Sequence, residues 1–393
     1  MLKKTILALC ILSSPVLSAR AQQVVLPSSS FVKVQGRVDS SNPERYRFDY
    51  PGVNFSMKFS GSSTVAARVK GSGSTFFQAF INGKPALALS GKQAIYKSTG
   101  DTTIVLATNL SKKAAHEVVL FKRTENLDNV PAEFMGFVVD NNATCTSASE
   151  LYRPRKMEFL GNSITCAFGT ESKNRNSKFT AETENSYLSY ANILARAFDA
   201  DVNIVAHSGR GVVRNYNDKN MVSTSDATVP KLFKRTIDAD STSEWDFKRY
   251  TPDAVVVNLG TNDYSTHPHP FKAIFVDGYL KLIAQIREAY GSQTQIFCIV
   301  GPMIDEPCYS YVKEIVEAQK VLNKDGRIHF IGIPRSALSS EKDYGAAWHP
   351  GGDGQKKIAQ IVAPTVSTVM DWSYNRSEMD DIKGGQDFYS RER

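Results

Sequence analysis

The sequence predicts two structural units: an N-terminal all-β sandwich, jelly-roll-like, followed by a three-layer α/β domain with a parallel sheet. Three observations carry this expectation. Behind an N-terminal leader, 372 of the 393 residues remain, more than one hydrophobic core ordinarily organises. From about residue 30 to 137 the chain runs as short alternating apolar and polar segments broken by turn residues. Beyond residue 155, apolar segments of strand length alternate with stretches of helical periodicity, the pattern of a parallel sheet covered on both faces.

The leader comes first. Met1-Leu2-Lys3-Lys4 is basic, Ile6–Leu17 is apolar, and Ala19-Arg20-Ala21 offers small residues for cleavage. These are the three parts of a signal peptide over residues 1–21, and the apolar run is too short to span a bilayer. Cys10 falls too early in that run for a lipoprotein. Cleavage takes Lys3, Lys4 and Arg20 and lowers the formal net charge from +7 to +4. There is no basic run or aromatic–basic stripe, so nucleic acid is not an expected partner. No later segment is apolar enough for a membrane span. The expected product is exported and soluble, and nothing in the sequence speaks to its oligomeric state.

Residues 22–140 form the expected sandwich. Its strands are Tyr46–Tyr50, Ser56–Phe59, Thr64–Val69, Thr75–Ile81, Ala94–Tyr96, Thr103–Ala107 and His116–Lys122. Ser60-Gly61-Ser62, Gly71-Ser72-Gly73 and Asn82-Gly83-Lys84 break them, and Asn-Gly between apolar runs signals a hairpin. The polar stretch 141–155 reads as a linker. The α/β domain, 156–372, follows with strands Met157–Leu160, Val202–Ala206, Asp253–Leu259, Gln295–Val300 and Arg327–Ile331. Its helices are Ser186–Phe198, Ala273–Tyr290, Tyr311–Leu322 and Gly352–Met370, the last interrupted by Pro364. The tail 373–393 is charged and aperiodic, and is expected to be poorly ordered. Four cysteines remain after cleavage: Cys145, Cys166, Cys298 and Cys308. Disulfides, with Cys298–Cys308 as a local pair, and buried free thiols both stay open. Their spacing does not suggest a zinc site, and no metal or cofactor is expected.

Chemistry concentrates where strands of the α/β domain end, the edge at which ligands bind in such sheets. Ser163, in Gly161-Asn162-Ser163, follows the first strand; the motif is not a G-x-S-x-G elbow and alone reads as a turn. Ser208-Gly209-Arg210-Gly211 follows the second, where glycine lets a backbone N–H approach a ligand closely. Gly209 is the expected oxyanion donor and Gly211 the fallback. Asn262, in Gly260-Thr261-Asn262-Asp263, brings an amide with two donors, although a strand-end Asx turn explains that motif equally well. His349, in Trp348-His349-Pro350, is placed to reach back to Ser163. Of the other histidines, His116 belongs to the sandwich, His329 to a strand and His207 to the Gly209 loop. His267 and His269 suit a substrate rim. A hydroxyl nucleophile, an imidazole base and oxyanion donors are what nucleophilic acyl transfer requires.

The order of these motifs resembles the SGNH (GDSL-like) hydrolases, whose named residues fall here on Ser163, Gly209, Asn262 and His349. Asn162 stands where that superfamily usually has Asp. With Phe80-Ile81-Asn82-Gly83, His116-Glu117-Val118-Val119-Leu120 and Asn258-Leu259 before the third motif, the chain is similar to carbohydrate esterase family 2. The resemblance implies removal of acetyl groups from xylan- or glucomannan-like polysaccharides or oligosaccharides through an acyl-enzyme, with no cofactor. Lipase- or thioesterase-like chemistry on this scaffold and a catalytically dead carbohydrate-binding protein are the alternatives. No long apolar lid segment is evident to favour the first, and the joint presence of Ser163, Asn262 and His349 speaks against the second.

In one respect the sequence departs from the family. Ala346 and Ala347 stand where a carboxylate three or two residues before the histidine is usual. The imidazole still needs its Nδ1–H held. A Ser–His dyad oriented by a backbone carbonyl near Trp348 is expected, with the His349 pKa raised less than in a full triad. Asp343 or Asp353, neither at the usual spacing, is the alternative that could swing in to hold the imidazole. Trp348 is the expected substrate contact, against packing beneath the loop.

Overall fold

The computed structural model describes residues 21–88 and 91–380. Residues 1–20 of the expected leader and 381–393 of the expected tail lie outside the described residues. Among the described residues no helix is long and apolar enough to cross a membrane.

The N-terminal unit is a single antiparallel sheet that curls until its two ends face each other. It comprises β1 (Gln22–Val25), β2 (Lys33–Gln35), β3 (Tyr46–Phe48), β4 (Asn54–Ser60), β5 (Val65–Ile81), β6 (Lys84–Pro85), β7 (Ile95–Ala107), β8 (His116–Lys122), β9 (Ala132–Asp140) and β10 (Thr144–Cys145). β5 joins the halves. The tracts Thr64–Val69 and Thr75–Ile81, expected as separate strands, are one 17-residue strand. Gly71-Ser72-Gly73 bends it without ending it. Before the bend β5 pairs with β9, after it with β8, and along both parts with β7. Register against β7 shifts between Ser72 and Thr75, as a bulge demands. At the bend Gly71 opposes Gly100, and a Cβ on Gly71 would lie 2.8 Å from the Ser98 side chain. Ala94–Tyr96 and Thr103–Ala107 merge into β7 in the same way. Across the curl, Phe55 of β4 stacks on Phe134 of β9 with centroids 4.0 Å apart. Burying such rings is the main stabilising term of the unit.

The segment 141–155 is not a free linker. β10 pairs with β4, and a 3-10 turn at Ala148–Leu151 is capped by Ser147.

The C-terminal unit is a five-stranded parallel sheet in the order β12–β11–β13–β14–β15. In chain order the elements are β11 (Arg155–Gly161), α1 (Ser163–Cys166), α2 (Tyr190–Ala197), β12 (Ala200–Ala206), α3 (Val229–Leu232), β13 (Ala254–Asn258), α4 (Thr261–Tyr264), α5 (Lys272–Tyr290), β14 (Gln295–Val300), α6 (Cys308–Leu322), β15 (Ile328–Gly332) and α7 (Gly352–Met370). β13 is central and wholly buried. Its Val255 and Val257 pack with α5 and α6, while Ala254 and Val256 pack with α2 and α7. That two-residue alternation makes the three layers. Pro364 is accommodated within α7. The helix expected over Ser186–Phe198 is shorter, because Ser189 takes an extended conformation and caps α2 through the Asn192 N–H at 3.2 Å. The first residues of the expected tail are packed: Met379 is buried, and Glu378 pairs with Arg196 at 2.9 Å. The four cysteines among the described residues are free thiols.

The two units share a polar, deeply buried seam. Arg37 is fully buried against Glu158 of β11 at 2.9 Å, and its guanidinium also donates to the Phe233 and Arg235 carbonyls. Glu158 accepts in turn from the Tyr290 hydroxyl at 2.7 Å. Tyr50 donates to the Leu232 carbonyl, and Asp49 accepts from the N–H groups of Asp238 and Ala239. Burying these charges carries a desolvation penalty that their mutual pairing offsets, and removing one member strands the other.

Candidate active site

β11 ends at Gly161, where a Cβ would fall 2.0 Å from Thr165 Oγ1. Only glycine lets the chain turn tightly enough to begin α1 there. The Asn162 side chain accepts from the Ile164 N–H at 3.1 Å and caps the helix, so the residue that departs from the superfamily pattern does structural work. Ser163 opens α1 with its N–H in the first turn, where helix geometry provides no internal partner.

His349 Nε2 lies 2.8 Å from Ser163 Oγ. On the other side of the ring, the Ala347 carbonyl lies 3.1 Å from Nδ1. A carbonyl only accepts, so Nδ1 carries the proton and Nε2 keeps its lone pair for the serine hydroxyl. Ala347 and Trp348 both adopt left-handed conformations, φ 48° and 63°, and this double turn swings the carbonyl back to the ring. Phe168 backs the imidazole with centroids 4.5 Å apart. Burial pushes the His349 pKa down to about 4, opposed by the Ala347 and Ala346 carbonyls. The sequence expectation of a weakly raised value is therefore corrected: with no carboxylate at the ring, desolvation of the cation wins.

Neither candidate acid reaches the ring. Asp343 is buried, and its carboxylate accepts from the Ser339 and Ser340 N–H groups and pairs with Lys357 at 2.7 Å. Asp353 pairs with Lys356.

The loop after β12 leaves the same carboxyl edge of the sheet, because β12 runs parallel to β11 with Ala206 opposite Gly161. Gly209 has φ 78°, and its N–H has no protein acceptor among the described residues. Gly211, the fallback donor, already gives its N–H to Asn215 Oδ1 at 3.2 Å. A Cβ on Gly211 would meet Arg214 O at 2.1 Å and Asp263 Oδ2 at 2.6 Å, so its smallness serves packing. Asn262 opens toward the same loop, with Nδ2 donating to the Arg210 carbonyl at 2.7 Å and leaving its second amide hydrogen. The neighbouring Asp263 has a role that sequence reasoning missed. Its buried carboxylate accepts from the N–H groups of Val212, Val213 and Arg214 at 2.8–3.0 Å, and so ties the loop to α4. An acidic residue directly after a donor asparagine, in a chain that also carries a glycine-rich strand-end loop, was the available signal.

Trp348 is 51% exposed, which removes it from the core. Arg175 covers one face, its guanidinium 4.1 Å from the ring centroid, and Tyr344 meets its edge. The remaining histidines have other partners. His116 meets Asn82 and the Ser111 carbonyl, His329 meets Gln295, and His207 meets Asp238 at 2.5 Å. His267 and His269 stack on each other with centroids 4.0 Å apart.

A parallel α/β/α sheet with a serine–histidine pair at its carboxyl edge defines a class of serine hydrolase, and residues 159–357 match the GDSL-like lipase/acylhydrolase family. Residues 34–148 match the carbohydrate esterase 2 N-terminal family. A solved family two carbohydrate esterase from Clostridium thermocellum, in complex with cellohexaose, shares 32% identity over 87% of this chain and 99% of that one, with TM-score 0.76. The chain belongs to carbohydrate esterase family 2. The cellulase/esterase CelE of Acetivibrio thermocellus is 34% identical over 86% of this chain, but the match spans only 39% of that longer protein. An acetylxylan esterase/glucomannan deacetylase of Cellvibrio japonicus is 24% identical, over 88% of this chain and 91% of that protein.

Proposed function

We propose that this chain is an exported serine esterase that removes O-acetyl groups from xylan- or glucomannan-like carbohydrate through a Ser163–His349 dyad. The observation that carries the proposal is the 2.8 Å approach of His349 Nε2 to Ser163 Oγ, with Nδ1 held by the Ala347 carbonyl. The family's acetylxylan esterases and the cellohexaose complex support the substrate class. Export rests on the basic, apolar and small-residue pattern of residues 1–21.

Ser163 Oγ attacks the acetyl carbonyl carbon as its proton passes to His349 Nε2. The carbonyl oxygen becomes an oxyanion, for which the Ser163 and Gly209 N–H groups and the free amide hydrogen of Asn262 are the donors. The intermediate collapses, the C–O bond to the sugar breaks, and the imidazolium returns its proton to the departing sugar hydroxyl. Water, deprotonated by the same imidazole, then hydrolyses the acetyl-enzyme. Trp348, solvent-facing beside the histidine, offers an aromatic face to a sugar ring.

Acetate release from a panel of acetylated glycans and from an aryl acetate tests this reading. Ser163→Ala and His349→Ala should each abolish turnover with the fold intact, and the double variant should be no worse, because the two act as a unit. Near-normal release by Ser163→Ala would sink it.

A further inference from the structure

Five consecutive polar residues, Lys122 to Asn126, leave the end of β8 and are all at least nine-tenths buried. Solvated loops do not bury such a run, so each side chain must have a partner. Most of those partners belong to the other unit. Arg123 pairs with Glu171 and donates to the Glu182 carbonyl at 3.0 Å. Asn126 reaches Asp238 at 3.4 Å. Lys122 holds the segment in shape from within, donating to the carbonyls of Asp49, Thr124 and Glu125. The segment is thus a rigid finger of the β unit inserted under the carboxyl edge of the parallel sheet.

Glu125 is its tip. Its Oε2 accepts from the Ser208 N–H at 2.5 Å, and its Oε1 accepts from the Ser208 hydroxyl. Ser208 immediately precedes Gly209. Oε2 also lies 3.7 Å from the thiol of Cys166, in the helical turn that Ser163 opens. One carboxylate therefore touches both the loop carrying the proposed oxyanion donor and the helix carrying the proposed nucleophile. The Glu125 N–H donates in turn to Glu184 Oε2 at 3.2 Å, and burial together with the charge of Glu125 raises the Glu184 pKa well above its ordinary value. Burial disfavours the His207 cation, yet the Asp238 hydrogen bond and the charges of Glu125 and Asp238 outweigh that and raise its pKa.

We infer that Glu125, contributed by the N-terminal sheet unit, is a positioning residue for catalysis: it fixes Ser208 by a two-point grip and so aims the Gly209 N–H at the oxyanion. The other end of the loop is tied by Asp263 and by the Tyr216 N–H on the Gly209 carbonyl at 2.8 Å. Gly209 is held from both sides, and one of the two anchors comes from the partner unit. The sheet unit is on this account part of the catalytic apparatus. The inference rests on the esterase reading above.

The test measures aryl acetate turnover and thermal unfolding for the full chain, Glu125→Gln, Glu125→Ala and Ser163→Ala. Losing an oxyanion donor outright costs about 100- to 1,000-fold, so loosening one should lower the kcat of Glu125→Ala by about 10- to 100-fold with KM within about twofold. Glu125→Gln keeps an acceptor for the Ser208 N–H and a donor for its hydroxyl oxygen, and should lose only about 3- to 10-fold. That graded loss in kcat, with KM flat, is not what a merely structural residue gives in its folded fraction. Folded Glu125 variants within about twofold of the parent in kcat would overturn the inference. So would a change confined to KM. If Glu125→Ala does not fold, Glu125→Gln decides by the same criterion. An inactive Ser163→Ala beside unchanged Glu125 variants sinks this inference alone; an active Ser163→Ala sinks the esterase reading and this inference with it.

Discussion

Lowering the pH is the sharpest perturbation of the proposed Ser163–His349 dyad, which has no acid. The base works only when neutral, so the acid limb of kcat/KM reports the His349 pKa in the free enzyme. Burial sets that value at about 4, against an ordinary 6.5. At pH 5 a base of pKa 4 is about 90% neutral, whereas one of pKa 6.5 is only about 3% neutral, a 30-fold difference in expected activity. Part of the ring still meets solvent, which places the expected limb between these two values and nearer the lower. The sign follows from the chemistry: a depressed pKa keeps the base competent as pH falls and loses it only below that pKa. The assay is acetate release from an acetylated glycan between pH 3.5 and 8, because a nitrophenol chromophore itself titrates in this range. Asp343→Asn is run alongside. Its carboxylate faces Ser339, Ser340 and Lys357, so its loss should leave the limb in place and turnover within a few-fold of the parent. A limb at or above 6.5, or a fall of about 10,000-fold in Asp343→Asn, the size of a neutralised triad aspartate, would refute the reasoning.

Further outcomes are expected elsewhere. Asn262→Ala should lower kcat by about 100- to 1,000-fold with little change in KM, measured on either substrate. Trp348→Ala should raise KM for acetyl-glycan while leaving the aryl acetate nearly untouched; equal losses on both would assign Trp348 to loop packing. Arg37→Ala strands Glu158 in the seam between units and should cost about 3–5 kcal/mol in urea unfolding. Asp263→Ala leaves three loop N–H groups without their acceptor and should cost about 3 kcal/mol or more, with kcat falling in the folded fraction.

What the sequence made legible follows from how each feature is written in it. Asp253–Leu259 reads as a central strand because both of its faces are buried and nearly every residue is apolar. β5 reads as two strands because Gly71-Ser72-Gly73 is a turn by composition, and only pairing with β8 and β9 on either side of it shows a bend. The missing carboxylate before His349 is visible at Ala346 and Ala347, but the conformation that supplies a carbonyl instead is not, since alanine carries no preference for it. The Lys122–Asn126 finger was invisible for a related reason. A polar run looks like solvated loop until the surface that receives it is known, and that surface is assembled from residues 41 to 112 positions away.

The double left-handed turn at Ala347 and Trp348 changes how this site can be lost in evolution. In a triad, a single codon change at the acid removes the group that orients the histidine. Here the orienting group is a main-chain carbonyl, which every amino acid possesses, so no substitution deletes it. The vulnerability moves from side-chain chemistry to backbone shape. Positive φ disfavours β-branched residues most, and each left-handed residue costs about 1–2 kcal/mol. Variation at position 347 should therefore be bounded by conformational tolerance, with asparagine or glycine admissible and valine or isoleucine disabling, although none of these side chains touches the reacting atoms.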